Sequence, residues 1–209
     1  MTIYSPNMLK TYQVCPKKYY YQYIERVNIP RFSTPFEKGK KIHALANYYL
    51  QGINISRIST ALNNDEKIAW QLLLKNPFFE KKCYNSEYSI SCKIDKYWLG
   101  GRLDAVVFDD KNYYILDYKT GMVPKNPEYD FQTMVYLLCM DKILKDYDSL
   151  SFVYISLKEK RNQVIAFSPE LKTEYEKQII QICSKIEKDS LYNSNCENCE
   201  RCEYRSLCY

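Results

Sequence analysis

The chain has 209 residues and a formal net charge of +5, with 46% apolar and 26% charged residues. These values are ordinary for a globular protein with its own core, and they exclude a disordered, collagen-like or coiled-coil chain. Glycine occurs only five times, which argues against phosphate sites built on several glycines, such as a P-loop. No apolar run could span a membrane and the N-terminus lacks a signal-peptide pattern. We therefore expect a cytoplasmic protein without a membrane partner.

Positive charge is concentrated in the N-terminal part of the chain. Residues 1–50 contain eight Lys or Arg against two Glu, a net of +6, whereas the remainder contains 22 basic and 23 acidic residues. Lysines are interleaved with tyrosines at residues 17–26. Cationic side chains that contact phosphates, next to aromatic rings on which bases stack, suit the binding of single-stranded nucleic acid. An amphipathic helix with buried tyrosines and solvated lysines would give the same pattern, and both interpretations stay open.

Local signals predict helices in the first 80 residues. Ser5 followed by proline starts one helix, and a Thr-Pro-Phe-Glu capping box beginning at Thr34 starts another. The Cys-Pro pair at Cys15 interrupts the first helix, because the residue before proline disfavours helical geometry. The predicted helices span residues 6–14, 19–24, 35–50 and 65–75.

Strand patterns dominate the middle of the chain. Strands are predicted over residues 87–94, 98–108, 113–119, 152–157 and 163–167, with a helix at 128–144 and a last helix at 169–188. The turn at residues 109–112 indicates a hairpin or meander, and residues 158–162 indicate a second hairpin. This order predicts one α/β domain over residues 1–209: a basic helical part at 1–80, an α/β core at 84–168, and a helix with a cysteine cluster at 169–209.

Two aspartates and a lysine form the sharpest chemical feature. Asp104 interrupts an apolar strand, and Asp117 ends the next one with Lys119 two residues later, on the same face. If the strands pair through the turn at 109–112, the two aspartates lie nearly opposite each other. Facing carboxylates repel unless a cation lies between them, and Mg²⁺ or Mn²⁺ with oxygen ligands would fill that role. Ordinary ion pairs at strand ends are the alternative.

Four further residues are weaker candidates when each is considered by itself. Gln132 and Tyr136 are four apart and share one helix face, from which both could contact Lys119 or substrate. His43 is the only histidine, and a lone histidine is usually structural. Glu87, at the start of a strand, carries the least signal.

The cysteines favour a metal site over disulfides. Nine cysteines, an odd number, occur in a chain without an export signal. In the tail, Cys196, Cys199 and Cys202 recur at every third residue and Cys208 follows. Four thiolates bind zinc tetrahedrally or hold a 4Fe-4S cluster, and their spacing does not choose between the two. The remaining cysteines at 83, 92, 139 and 183 are expected in the core or at inert positions.

Taken together, these motifs resemble the RecB-like branch of the PD-(D/E)xK nuclease superfamily. The matching elements run from about residue 5 to residue 208: CPKKYYYQY from Cys15, Gly39-x3-His43, GRLD at 101–104, DYKTG at 117–121, Gln132-x3-Tyr136 and the cysteine tail. The tail is similar to the iron–sulfur staple of the AddB nuclease domain and of the small CRISPR-associated nucleases of that branch. The one departure is Asp117 at the glutamate position of the motif, which is common in this branch.

The resemblance implies a restriction-endonuclease-like core, that is, a mixed central sheet flanked by helices, and it assigns roles to the candidates. Asp104, Asp117 and His43 would bind Mg²⁺ or Mn²⁺, and Lys119 would position the attacking water. Gln132 and Tyr136 would complete the site, and Glu87 matches a glutamate found in some relatives. Cys15, Cys199, Cys202 and Cys208 would hold a 4Fe-4S cluster, which leaves Cys196 without a role.

The implied activity is hydrolysis of DNA phosphodiester bonds, with single-stranded DNA favoured by the basic, tyrosine-rich N-terminal part. Recombination, repair, CRISPR adaptation and viral DNA processing are all compatible settings, in the host cytoplasm if the protein is viral. A homo-oligomer and recombination or CRISPR partner proteins stay open, as does exonuclease or endonuclease action. The alternative is a catalytically inactive DNA-binding protein stapled by zinc or an iron–sulfur cluster.

Overall fold

A six-stranded mixed sheet with helices on both faces forms the centre of the molecule in the computed structural model, which describes residues 2–29 and 35–208. The strands are β1 (Ile3–Tyr4), β2 (Lys82–Ile94), β3 (Tyr97–Asp109), β4 (Asn112–Lys119), β5 (Ser149–Ser156) and β6 (Arg161–Ala166). The α-helices are α1 (Pro6–Val14), α2 (Pro16–Tyr19), α3 (Pro35–Leu50), α4 (Ser56–Thr60), α5 (Asn64–Leu74), α6 (Phe131–Ile143) and α7 (Pro169–Lys188). The predicted α/β class with a mixed central sheet flanked by helices is confirmed.

The strand connections combine two antiparallel units with parallel pairings. Strands β2, β3 and β4 form an antiparallel meander, and β5 and β6 form an antiparallel hairpin, as predicted. Strand β4 is parallel to β5, and β1 is parallel to β3. A parallel pair needs a crossover connection, which α6 provides between β4 and β5.

Each face of the sheet has its own apolar cluster because neighbouring strand residues point in opposite directions. Val106 and Ile115 pack on one face with α1, α2, α6 and α7, whereas Val107 and Leu116 pack on the other with α3 and α5. Helix α6 is buried along most of its length, which explains why its apolar residues occur on all sides. None of the described helices is both long and apolar enough to cross a membrane.

The N-terminal helices follow their sequence signals with one shift. The Ser5 side chain accepts a hydrogen bond from Met8 N at 3.3 Å and caps α1, as predicted. The second helical segment begins at Pro16 instead of residue 19, because Cys15 Sγ caps it by accepting from Lys18 N at 3.4 Å. It continues as a π-helical turn over Tyr20–Ile24. The predicted cap at Thr34 lies outside the described residues.

Several other elements differ from the sequence-based prediction. The two-residue strand β1 and the short helix α4 were not expected, and β2 begins at Lys82, before the predicted start at residue 87. The helix expected over residues 128–144 is a 3-10 turn, Pro127–Tyr129, followed by α6, with Asp130 capping the latter. A tail of two 3-10 turns, Cys196–Arg201 and Arg205–Leu207, follows α7.

Candidate active site

Asp104 lies where β3 and β4 separate. Their ladder runs from Asp109↔Asn112 to Ala105↔Leu116, and the next step of this register places Asp104 opposite Asp117, as predicted. Beyond that step, a side chain replaces the backbone partner: Tyr118 N donates to Asp104 Oδ2 at 2.9 Å. Asp104 therefore satisfies a backbone donor at the fork and keeps its second oxygen for another partner.

That second oxygen contacts the single histidine. His43, on α3, places Nδ1 3.0 Å from Asp104 Oδ1 and Nε2 2.9 Å from the carbonyl oxygen of Tyr118. A carbonyl oxygen only accepts, so Nε2 carries a proton. Burial lowers the pKa of His43, but the hydrogen bond and negative charge of Asp104 outweigh it, and the pKa rises to about 9. His43 is therefore cationic at neutral pH.

Glu87 joins the same group from β2. The β2–β3 register pairs Ser86 with Ala105 and Tyr88 with Leu103, so Glu87 falls opposite Asp104. Its φ of 47° is left-handed, an uncommon conformation for a residue within a strand. One ligand atom each from Glu87, Asp104 and His43 lies within 4.8 Å of the other two. Glu87, which carries the least signal in the sequence, thus lies beside Asp104 and His43.

Asp117, Lys119 and Gln132 form a connected cluster behind Asp104. Lys119 Nζ lies 2.9 Å from Asp117 Oδ2 and donates to Gln132 Oε1 at 3.0 Å. Gln132 Nε2 donates in turn to Asp117 Oδ1. Burial and the neighbouring charge of Asp104 raise the pKa of Asp117 to about 6, although Lys119 and His43 lower it. The predicted contact between Gln132 and Lys119 is present.

Tyr136 lies in the core and contacts the backbone of β3, not Lys119. Its ring covers Gly101 so closely that a Cβ there would lie 2.7 Å from Tyr136 Cε1. Its hydroxyl donates to the carbonyl oxygen of Arg102 at 3.0 Å. Tyr136 thus contacts the backbone of β3, one turn of α6 away from the Gln132 that contacts Lys119. The contact explains why glycine precedes Arg102.

A cleft of about 840 Å³ opens over this cluster. Its lining includes His43, Glu87, Arg102, Asp104 and Lys119. Asp117 is 3% exposed and lies beneath the lining, whereas the Asp104 side chain is 14% exposed. The structure therefore brings together, in one open cleft, carboxylates, an imidazole and basic side chains.

The donor set of this cleft suits a divalent cation. Carboxylate oxygens are ligands for Mg²⁺ and Mn²⁺, and the imidazole of His43 favours Mn²⁺ over Mg²⁺. Among the described residues, Asp117 Oδ2 has no donor other than the Lys119 ammonium, although it is buried. A buried carboxylate oxygen beside two further carboxylates is poorly compensated by protein groups alone. The residues present thus fit a metal ion at this position.

The tail cysteines line a second, smaller chamber with Cys15. A cavity of about 100 Å³ is bounded by Cys15, Cys199, Cys202 and Cys208, which come from the two ends of the chain. Asn195 fixes the junction, because its backbone N donates to Cys15 Sγ at 3.4 Å and its side chain donates to the Val14 carbonyl at 3.1 Å. The side chain of Cys196 lies outside the described part of the chain.

The spacing of these thiols bears on what could bind there. A tetrahedral zinc site with Zn–S bonds of about 2.3 Å holds its sulfurs about 3.8 Å apart. Among the described residues, no three of the four thiols come within 4.8 Å of one another. Burial and the three neighbouring cysteines raise the pKa of Cys208, as expected for thiols that share a chamber. These four thiols are therefore spaced more widely than in a closed zinc tetrahedron, whereas the zinc set of Cys196, Cys199, Cys202 and Cys208 includes a side chain outside the described part of the chain.

The remaining cysteines lie away from both sites. Cys92, Cys139 and Cys183 are buried, and Cys83 is half-buried. Cys139 Sγ on α6 lies 3.0 Å from Cys92 Sγ on β2. These positions agree with the expected core or inert roles.

The basic, tyrosine-rich segment has one buried ring and several partly exposed ones. Tyr19 is 2% exposed and packs in the core, as the amphipathic-helix interpretation requires. Tyr20 and Tyr21 are half-exposed, with Lys17 Nζ 5.0 Å and 5.3 Å from their ring centroids. Tyr21 also stacks on Tyr204 of the tail, with ring centroids 5.8 Å apart. The segment therefore joins the two chain ends and still presents rings at the surface.

A mixed sheet with two aspartates and a lysine where its central strands separate is the architecture of a metal-dependent nuclease. The chain belongs to the PD-(D/E)XK nuclease superfamily, whose sequence profile matches residues 3–82 and 78–209. It is 22% identical over 204 residues to the CRISPR-associated exonuclease Cas4 of Francisella tularensis subsp. novicida (strain U112), covering 97% of this chain and 91% of that protein. The crystal structure of a candidate exonuclease from Eubacterium rectale shares the fold, with a TM-score of 0.59 and 10% identity over 97% of this chain and 87% of that one.

Proposed function

We propose that this nuclease hydrolyses phosphodiester bonds of single-stranded DNA with Mn²⁺ or Mg²⁺ and carries a 4Fe-4S cluster as a structural staple. The observation that supports the catalytic part most strongly is the convergence of His43, Glu87, Asp104 and Lys119 on one cleft, with Asp117 beneath. These residues come from α3, β2, β3 and β4, and ordinary ion pairing does not need four elements to meet at one point.

The metal ligands in this proposal are His43, Asp104 and Asp117, with Glu87 as a fourth. A divalent ion held there would activate a water and neutralise charge that develops on the phosphate. His43 would release its Nδ1 proton to solvent on binding the metal, exchanging its hydrogen bond to Asp104 for the metal bond while Nε2 keeps its proton on the Tyr118 carbonyl oxygen, and the carboxylates would remain anionic. Because carboxylate and imidazole donors are both present, we expect Mn²⁺ to support higher activity than Mg²⁺.

Lys119 and Gln132 would position and stabilise the reacting groups. The Lys119 ammonium lies at the cleft surface, held between Asp117 and Gln132. From that position it can orient a water by hydrogen bonding and stabilise negative charge on a phosphate oxygen. Gln132 fixes both partners through one amide, so it orients Lys119 without contacting the substrate itself.

The preference for a single strand is supported by the surface next to the cleft. A groove of about 330 Å³ along α1 shares Asn7 with the active-site cleft and is lined by Lys10, Lys18 and Tyr23. Cations beside an aromatic ring in a groove suit a strand whose phosphates and unpaired bases are both available. Duplex DNA hides its bases from such a ring.

The cluster would connect the two ends of the chain. Cys15 at the start of α2 and the three tail cysteines surround one chamber, and among the described residues no three of these thiols come within 4.8 Å of one another, whereas the sulfurs of a zinc tetrahedron lie about 3.8 Å apart. Four cysteines are the usual ligand set of a 4Fe-4S cluster. Metal binding between chain ends adds directly to folding stability, so we assign the cluster a structural role.

Exonuclease action at DNA ends is the mode we favour, because the Francisella relative carries that name at 22% identity over nearly the whole chain. The same name associates that relative with CRISPR systems, and we propose partner proteins of a DNA-processing pathway for this chain as well. The competing function is DNA binding without cleavage, in which the acidic cluster would be structural.

A time course with three substrates tests the proposal. Single strands labelled at the 5′ or 3′ end are incubated with Mn²⁺ beside circular single strands of the same sequence. We expect the linear strands to be degraded from an end, with the circles intact. Degraded circles would show endonuclease action. Absence of any metal-dependent cleavage by protein that still binds single-stranded DNA would leave the binding function in its place.

A further inference from the structure

We propose that Arg102 binds a phosphate of the DNA strand adjacent to the bond that is cleaved. This inference rests on the proposed nuclease function and adds a substrate-binding residue to it. Arg102 is the second residue of the GRLD segment, between the glycine covered by Tyr136 and the strand that carries Asp104.

The first argument is position. Arg102 and Asp104 are two residues apart on β3, and side chains two apart in a strand point to the same side of the sheet. Both line the 840 Å³ cleft, together with Lys119. The Arg102 side chain is 64% exposed, so the guanidinium lies at the open mouth of the cleft.

The second argument is the hydrogen-bonding capacity that the guanidinium retains. Arg102 Nε lies 2.6 Å from Glu87 Oε2. A guanidinium has five N–H donors in a planar fork, whereas a single carboxylate accepts two of them at most. At least three donors therefore remain for another anion, and a phosphate group has the matching geometry.

The third argument is that the backbone of Arg102 is held in place. Tyr136 donates from its hydroxyl to the Arg102 carbonyl oxygen at 3.0 Å, and its ring lies against Gly101. Helix α6 therefore fixes the start of the Arg102 side chain while the guanidinium stays exposed. A fixed origin reduces the conformational entropy lost when the side chain binds an anion. Tyr136 thus acts on the cleft through the backbone of Arg102.

The charges around Arg102 are consistent with this role. Glu87 belongs both to the candidate metal group and to the ion pair with Arg102. Desolvation and the nearby Asp104 raise the pKa of Glu87, whereas Arg102 lowers it. A carboxylate that serves a metal site leaves its guanidinium partner with spare capacity for the phosphate of a bound strand.

The test scans neutral linkages along the substrate. Single-stranded oligonucleotides carry one methylphosphonate linkage at successive positions around the cleavage site, and each is cleaved by the wild-type protein, Arg102→Gln and Arg102→Lys. The matched control is Arg161→Gln, because Arg161 Nε also lies 2.6 Å from a glutamate, Glu159, with the arginine side chain 68% exposed. Arg161 is the first residue of β6 and Glu159 lies in the turn before it, and neither residue lines the cleft.

We expect Arg102→Gln to raise KM for the unmodified strand by about tenfold to a hundredfold, as for loss of a charge-assisted hydrogen bond, with the Mn²⁺ dependence unchanged. One methylphosphonate position should impair the wild type and Arg161→Gln but not Arg102→Gln, and Arg102→Lys should be intermediate. Equal sensitivity of wild type and Arg102→Gln at every position would overturn the inference. So would a change confined to the Mn²⁺ dependence, since Arg102 would then only hold Glu87. If the wild-type protein did not cleave the unmodified strand at all, the proposed nuclease function would be refuted instead.

Discussion

Lys119 donates a 3.0 Å hydrogen bond from Nζ to the side-chain oxygen of Gln132, a residue 13 positions further along the chain on a different element. The same ammonium lies 2.9 Å from buried Asp117. The two contacts hold a cation at the surface of a cleft that Asp104 and His43 also line. The reactivity we assign to the cleft depends on this fixed orientation.

Lys119→Met should remove catalysis and leave DNA binding. Without the ammonium, no group at that position would orient water or stabilise phosphate charge, so we expect kcat to fall about 100-fold or more. Cleavage of labelled single strands gives kcat, and fluorescence anisotropy gives the binding constant. Lys96→Met is the control, because Lys96 forms a 2.6 Å ion pair with Glu187 at the surface. A variant with wild-type kcat would exclude Lys119 from the reaction.

Gln132→Leu should act through Lys119. The substitution removes the acceptor of the lysine and a donor to Asp117, so the ammonium loses its orientation and kcat should fall about tenfold, with little change in KM. Gln178→Leu serves as the comparison, because Gln178 also donates to an acidic side chain, Glu174, from a partly buried helix position. If Gln178→Leu lowered kcat and thermal stability as much as Gln132→Leu does, the effect would be one of general packing and not of Lys119 orientation.

Gly101→Ala should destabilise the fold, because the new Cβ would lie 2.7 Å from Tyr136 Cε1. Overpacking of this kind costs about 1–3 kcal/mol in the free energy of unfolding. Gly121→Ala is matched to it, since no atom lies within 4 Å of a Cβ built there, and we expect a change of about 0.5 kcal/mol or less. Urea unfolding measures both. Equal stability of the two variants would show that Tyr136 does not cover Gly101 tightly.

Anaerobically purified protein should be brown and contain iron, and Cys15→Ser should lose both colour and iron. The reason is that Cys15 supplies the only ligand from the N-terminal side of the proposed cluster. Cys83→Ser should keep both, because Cys83 lies on β2, outside the chamber. Colourless protein that contains zinc would contradict the cluster and support the zinc alternative.

Much of the fold could be predicted because its signals are local. Ser5 caps α1 through its own hydroxyl, and the strands of the meander follow apolar runs separated by turns. The two-residue strand β1 carries no pattern of its own and exists because β3 accepts it as a parallel partner. The early start of α2 depends on a sulfur cap at Cys15, which residue-type preferences for helix caps do not include.

The site was only partly predictable, because some of its residues meet through long-range contacts that leave no local signal in the sequence. The turn at residues 109–112 predicts that Asp104 lies opposite Asp117, because the two aspartates are nearly equally distant from it along the chain. Glu87 enters the group through the long-range register of β2 on β3, which no local signal encodes. His43 carried no signal beyond its resemblance to a motif, since only the packing of α3 brings it to Asp104.

The most direct test of the active site compares the Mn²⁺ dependence of single-strand cleavage by the wild-type protein and by Asp104→Asn. Asparagine keeps an oxygen that can accept from Tyr118 N, so the strand fork should persist, but the anionic ligand is lost. We predict Mn²⁺-dependent cleavage by the wild type, abolished by chelation, and none by the variant, with equal binding of the strand. Equal cleavage by both proteins, or none by the wild type, would contradict a metal-dependent active site at this cleft.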